Sequence, residues 1–431
     1  MKQFYTSDIT PEMHGQEVVL LGWAHEIRDL GGVVFLLVRD REGIAQVTLV
    51  KKLVDDQLFK KVRELTRESV VKVKGRVKEE PKAPKGFEIL PVQVEIISKA
   101  ASPLPLDPTE KVPAELDTRL DSRYMDLRRP RVQAIFKLKS KLLQATREFL
   151  LSQGFIEVHT PKIVAAATEG GTALFPISYF EREAFLSQSP QLYKQILMAA
   201  GLDKVFEIAP AFRAEEHNTT RHLNEFLSID IEVAFASDRE VMEVLERVIY
   251  YQYEQAAKHC EKELAQIGVE VEVPKLPFPR ISYDQALEIV RKKGIKIEWG
   301  EDLSTEAEKA TGEEIPGFYF ITDFPTEIKP FYVMPHQDNP KLSHSFDLLY
   351  KGREMTSGAQ RVHQYELLKR RLIEKGLDPE RFEFYLNAFK YGMPPHAGWA
   401  IGAERLVSAM IGVENIREAV LFPRDRRRIT P

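Results

Sequence analysis

The chain holds a single cysteine, Cys260, in 431 residues. That excludes an intrachain disulfide and any cysteine-rich zinc site. Its ten histidines show no metal-ligand spacing, and a lone His159 or His396 reads as a satisfied structural residue before it reads as a ligand. No apolar run approaches the ~20 residues that span a bilayer, and the N-terminus lacks a signal-peptide pattern. The composition is that of a soluble, cytosolic protein. Neither sign of charge dominates: the net charge is -4, which argues against indiscriminate nucleic-acid binding but not against local basic patches. Two such patches are Arg128-Arg129-Pro130-Arg131 and Arg424-Asp425-Arg426-Arg427-Arg428. Short charge runs are usually solvated faces, so these weigh little alone. A phosphate-binding glycine loop is also missing, because the segment at Gly402 lacks the glycine-lysine pair of a P-loop and a preceding βαβ unit.

With 43% apolar residues the chain can bury ordinary cores, and its length suits two domains. Residues 1–102 read as short strands at 18–26, 33–40, 44–50, 70–77 and 87–97, punctuated by Gly31-Gly32, Arg41-Glu42-Gly43 and the 81–86 segment. One helical stretch, 55–66, follows the third strand. Five strands with that helix suit an OB-fold, a small barrel that binds oligonucleotides across one face; a small sandwich fits the same pattern. Residues 103–130 open on Pro103, Pro105 and Pro108 and read as a stiffened linker. From 131 to 431, helices and strands mix without βαβ regularity. The class is therefore α+β, an antiparallel sheet flanked by helices, with a short insertion around 265–330. Amphipathic helices are expected at 133–153, stopped by Gly154, and at 238–264.

Charge is most concentrated in residues 212–226, between two strand-like runs. Downstream, Leu227, Ile229, Ile231 and Val233 alternate with Phe226, Ser228, Asp230 and Glu232. Upstream, Phe206, Ile208 and Phe212 alternate with Glu207, Arg213 and Glu215. Such a pair has one core face and one charged face, which is either solvated or the floor of a binding site. Arg405 raises the same question. A cation in the first turn of a helix opposes the macrodipole, so it points to an anionic partner, a ligand or a nearby carboxylate. Residues 345–358 read as a hairpin ending at a helix start, with Ser357 as cap for a helix carrying Val362, Tyr365, Leu368 and Leu372, closed by Gly376.

In order along the chain, Phe149 to Pro161, Phe212 to Glu232, and Gly398 to Leu406 resemble the three signature motifs of a class II aminoacyl-tRNA synthetase. The ordered set is far more specific than any one of them. The resemblance implies ATP as substrate, with Arg213 on the α-phosphate and the amino-acid carboxylate. It places Arg405 and Phe226 on opposite faces of the adenine. It also assigns Glu215, Arg221, His222 and Leu223 to the ATP loop, with the basic pair near the terminal phosphates, and adds Gly402, Ala403 and Glu404. Mg2+ would be held by Glu354 and Ser357, supported by Asp347. Arg213, Arg405 and Glu354 form the catalytic set, and Pro161 marks a homodimer interface.

The segment 185–195 resembles the aspartate, asparagine and lysine subgroup, and Lys194 points to L-aspartate. A β-carboxylate needs fixed cations to be told from its neutral amide, here Lys194 and Arg361. Gln191 and Asp230 would take the α-amino group. Residues 167–172, with Gly170 and Gly171 as hinge, match a mobile lid whose Glu169 reaches the substrate. The barrel would read the anticodon through Phe35 and Gln46, with Arg28 and Glu88 beside them; Phe35 fits a core position equally well. Members that accept only tRNA(Asp) tend to carry tryptophan and lysine where this chain has His25 and Pro84, so relaxed charging of tRNA(Asn) is expected. The short insertion, and the lack of a lysine-rich extension before Met1, imply the archaeal type. Two rival readings stand: an asparagine-charging enzyme or amidating paralog, and a catalytically silent RNA-binding protein.

Overall fold

The structure, a computed structural model, describes residues 4–165, 173–216 and 219–431. The chain divides into two compact units, Met1–Pro130 and Arg131–Pro431. In the first, strands β1 (Glu17–Asp29), β2 (Val33–Arg39), β3 (Ile44–Val50), β4 (Val70–Glu79) and β5 (Phe87–Ser98) close a barrel in the order β1-β2-β3-β5-β4. A helix, Asp56–Arg63, joins β3 to β4. This is the OB-fold arrangement rather than the sandwich. Alternation builds its core: Val34, Leu36 and Val38 are fully buried with Leu20, Val47, Val73 and Ile89. Phe35 and Leu37, on the other face of β2, are only half-buried. The pairing of β1 with β2 slips at His25, a bulge between the Ala24 and Glu26 pairs. Residues 103–130, expected as a linker, carry helices Leu116–Asp121 and Arg123–Asp126, and Arg129 donates to the Asp107 carbonyl at 2.9 Å.

The second unit adds β6 (Ile156–Glu157), β7 (Ile163–Val164), β8 (Pro176–Tyr179), β9 (Arg182–Leu186), β10 (Lys204–Phe212), β11 (Glu225–Ala234), β12 (Arg280–Ser282), β13 (Phe318–Thr322), β14 (Ser345–Tyr350), β15 (Glu354–Gln360) and β16 (His396–Gly402). Eight of them form one sheet, β12-β13-β14-β15-β16-β11-β10-β6, antiparallel except for its two outermost pairs, and β7-β9-β8 form a small second sheet. One face of the large sheet packs under helices Pro130–Ser152 and Asp238–His259, where Ile229, Ile231, Phe346 and Trp399 meet Leu138, Leu142, Leu245 and Ile249. Ser237 starts the second helix with a capping box to Glu240. The single helix expected over 238–264 breaks at Cys260, and Glu261–Ile267 follows as a separate turn.

The expected cap at Ser357 is not there. Ser357 lies inside β15, paired with Asp347 on β14 and Ala400 on β16, and the helix starts only at Tyr365. The strand continues because two neighbours supply its backbone hydrogen bonds. Gly358 leaves room for the ring of Phe346 at that point. The inserted segment has its own small core, in which Tyr283, Leu287 and Val290 pack with Ala307, Ala310 and Phe324.

Candidate active site

The sheet face opposite the long helices opens into a cavity of about 420 Å³. Arg213 enters it where β10 ends: its N–H donates to the Asn224 carbonyl at 2.9 Å, closing the hairpin, and its guanidinium lies 5.4 Å over the Phe226 ring. Arg405, in the first turn of helix Ala403–Ile411, reaches back to Glu354, 3.1 Å from its carbonyl and 3.3 Å from Oε1. Within the chain, the anionic partner of this cation is thus a carboxylate. Glu215, Arg221, His222, Leu223 and Gly402 line the same cavity. Burial, then repulsion by Arg405, pushes His222 below the usual imidazole range. The loop is tethered from the C-terminal end: Asn224 N–H donates to the Arg424 carbonyl at 2.9 Å, and Arg417 to the Thr219 carbonyl at 2.8 Å.

Ala403 is buried and does not line the cavity. Glu404 does line it, and its carboxylate accepts from Lys139 Nζ at 2.6 Å and from Leu227 N–H at 3.1 Å, so its side chain also pins the helix to β11. Phe226 also lines the cavity, with Arg213 stacked on its ring.

Deeper in the cavity lies a paired charge array. Arg361 grips Glu232 with two nitrogens, at 2.9 and 3.3 Å, and Lys194 Nζ sits 3.0 Å from Asp230 and 3.4 Å from Glu232. All four side chains are buried. Burial works to raise the Glu232 carboxyl, but Arg361 and Lys194 outweigh it and hold it below the usual range. Arg361 and Asp230 line the cavity; Lys194 does not, and sits one layer beneath. Gln191 also lines it and is oriented by Gln195, to whose Oε1 it donates at 2.9 Å. Gln195 in turn meets His396 at 2.9 Å, whose ring is driven down to about 4 by burial. His396 is the satisfied structural histidine its isolation in the sequence implied.

Glu354, Asp347 and Ser357 offer oxygen donors on adjacent strands. Ser357 Oγ donates to Glu354 Oε1 at 3.4 Å, and Asp347 accepts from Lys329 at 3.0 Å while its buried Oδ1 has no partner. Burial works against Glu354, yet Arg405, Lys329 and Arg213 keep its carboxyl low; Asp347 is pushed up by burial and by Glu354. Among the described residues no three His, Cys, Asp or Glu cluster as a complete metal cage. An ion here would share its coordination with a ligand, as Mg2+ does with phosphates. Glu169 lies outside the described residues, as does the whole of its loop, 167–172.

Residues 115–426 match the family described as tRNA synthetases class II (D, K and N), and residues 18–97 match the OB-fold nucleic acid binding domain. The chain belongs to the class II aminoacyl-tRNA synthetases. Among its relatives in this family, the aspartate--tRNA(Asp/Asn) ligase of Archaeoglobus fulgidus is 62% identical over 99% of both chains. The aspartate--tRNA(Asp) ligase of Pyrococcus abyssi is 56% identical over the full length of both. Among solved structures, the asparaginyl-tRNA synthetase of Pyrococcus horikoshii, complexed with asparaginyl-adenylate, superposes with a TM-score of 0.96 at 36% identity, covering 100% of both chains.

In this synthetase the barrel presents Arg28, Phe35 and Thr48 as successive cross-strand neighbours on the outer face of β1, β2 and β3. Phe35 is therefore not a core residue. Gln46 Nε2 reaches Glu88 at 3.4 Å, and Glu88 also accepts from Thr48 at 2.6 Å and Lys78 at 2.9 Å. Arg28 is exposed and pairs with Glu26; Pro84 is exposed at the start of a short turn. His25, the bulge residue, is buried, with Nδ1 3.2 Å from Glu68 and 2.8 Å from Arg39. Glu68 also binds Arg39 through both oxygens and Arg128 at 2.9 Å. Sequence reasoning missed Glu68, Lys329 and the role of Glu232 as a clamp. The alternation on β11 marked Glu232 as facing the site, but its partner Arg361 is 129 positions away.

Proposed function

We propose that the chain attaches L-aspartate to tRNA in two steps, forming aspartyl-adenylate from ATP and passing the aspartyl group to the 3'-terminal adenosine. The observation that carries this reading is the Lys194, Arg361, Asp230 and Glu232 array at the bottom of the cavity that also holds Arg213, Arg405 and Glu354. A negative side chain is selected where cations are already fixed and desolvated, because they need no reorganisation when it arrives. Arg361 meets the β-carboxylate, Lys194 adds its field from below, and Asp230 with Gln191 takes the α-amino group. An asparagine side chain would leave Arg361 facing a neutral amide.

The aspartate carboxylate then attacks the α-phosphate and pyrophosphate departs. Arg213 is placed to bind the phosphoryl oxygens as their charge grows, and Arg405 is released from Glu354 to pack on the adenine. Bound Mg2+ would neutralise phosphate charge, held through Glu354 and Ser357 with Asp347 behind them. The barrel face of Arg28, Phe35, Gln46 and Glu88 stacks on and hydrogen-bonds anticodon bases. A homodimer is inferred around the exposed Pro161, which is flanked by the exposed Ile156 and Ile163; sedimentation at twice the chain mass checks it.

His25 and Pro84 favour relaxed tRNA choice, so tRNA(Asn) is charged with aspartate too. The relatives bear names of both kinds, which makes the direct experiment decisive. Acylation of tRNA(Asp) and tRNA(Asn) with labelled aspartate should charge both. Charging of tRNA(Asp) alone removes the relaxed reading, and charging of neither removes the function.

A further inference from the structure

We propose that Glu308, on helix Thr305–Glu314 of the inserted segment, is a positioning residue for ATP that fixes the guanidinium of Arg221. The proposal rests on the reading of Arg221 as a contact to the terminal phosphates. Arg221 Nη1 lies 3.3 Å from Glu308 Oε2 and 3.4 Å from Thr305 Oγ1, the first residue of the helix. Both contacts fall on the same nitrogen. The rest of the guanidinium fork is not used by them, while one end is anchored.

The inserted helix is itself fixed against the hairpin that supplies Glu354. Gly352, with φ of +69°, forms the turn between β14 and β15, and a Cβ there would lie 2.6 Å from the Glu308 carbonyl oxygen. A Cβ on Gly312, one turn further along the helix, would run into the Gly352 backbone. Two glycines are needed because helix and turn touch backbone to backbone. Thr311 Oγ1 and Tyr319 OH, 2.7 Å apart, tie the helix to β13 as well. Glu308 and Glu354 are thereby held at a set spacing. The Glu308 side chain is only 14% exposed, and burial, then repulsion by Glu354, raises its carboxyl to about 7, so it is neither solvated nor mobile and holds Arg221 most firmly once ionised. An arginine held in place before ATP arrives loses less side-chain freedom on binding, which lowers the KM for ATP without altering the chemical step.

The test is ATP–pyrophosphate exchange by the full chain at saturating aspartate. Glu308→Gln should raise the KM for ATP roughly tenfold with kcat and the KM for aspartate within about twofold, and Glu308→Asp should recover most of the loss. Arg221→Ala should also raise the KM for ATP, and adding Glu308→Gln to it should have no further effect. If Glu308→Gln fails to fold, Thr305→Val serves in its place, with an expected rise of about twofold to threefold. An unchanged KM for ATP in the folded Glu308 or Thr305 variant overturns the proposal, as does additivity in the double variant. If instead Arg221→Ala leaves the KM for ATP at the wild-type value, the placing of Arg221 at the phosphates fails, and the proposal with it.

Discussion

Arg213 lies where β10 gives way to the loop, stacked on Phe226 and facing the same space as Arg405. Replacing it with alanine should lower pyrophosphate exchange by at least about a thousandfold, since it removes charge aimed at the developing phosphoryl oxygens. Binding of tRNA, measured by filter retention, should change little. Lys194 acts differently. With Lys194→Met, Asp230 and Glu232 lose a buried counter-charge, which costs about 3–5 kcal/mol of stability. The KM for aspartate should rise by about a hundredfold and the preference for aspartate over asparagine should shrink. An unchanged preference would mean that Arg361 alone selects the side chain. The residues that line the cavity were mostly legible in the sequence, because motif spacing placed Arg213, Glu354 and Arg405 together. Their partners were not. Glu232 to Arg361, Lys329 to Asp347 and Lys139 to Glu404 join strands and helices far apart in the chain, and no local pattern encodes such pairs.

Strand β15 shows why one element was misread. Its Thr356, Ser357, Gly358 and Ala359 look like a helix entry, since small and polar residues favour caps. In the sheet they are small because Phe346 packs on Gly358 and Thr356 sits between Leu348 and Ile401, while Ser357 faces the cavity beside Asp347. The barrel was read well, since alternation along β1 to β5 survives the bulge at His25. That bulge rests on Glu68, whose carboxyl is held down to about 2: burial opposes this, but hydrogen bonds from His25 and Arg39 prevail. A carboxyl lowered on folding adds stability above its unfolded value of 4.5, lost as pH falls toward 2. That stabilisation is on the order of 3 kcal/mol at neutral pH. Glu68→Gln should therefore lower the melting temperature at pH 7 and flatten its fall between pH 4.5 and 2, as followed by circular dichroism. An unchanged acid limb would show that other carboxylates dominate it.

The two compact units divide the work. Phe35→Ala, on the barrel's outer face, should raise the KM for tRNA by about tenfold, a stacking loss of ~1–3 kcal/mol, and leave exchange untouched. A drop in exchange would place Phe35 outside the anticodon role. Among the described residues no helix is long and apolar enough to cross a membrane. The central claim is that the cavity activates aspartate with ATP, and it is tested most directly by ATP–pyrophosphate exchange in the absence of tRNA, with aspartate and asparagine compared. Exchange that depends on aspartate, with asparagine at least about a hundredfold poorer in kcat/KM, is the predicted result. Exchange driven by asparagine, or none with either amino acid, would contradict it.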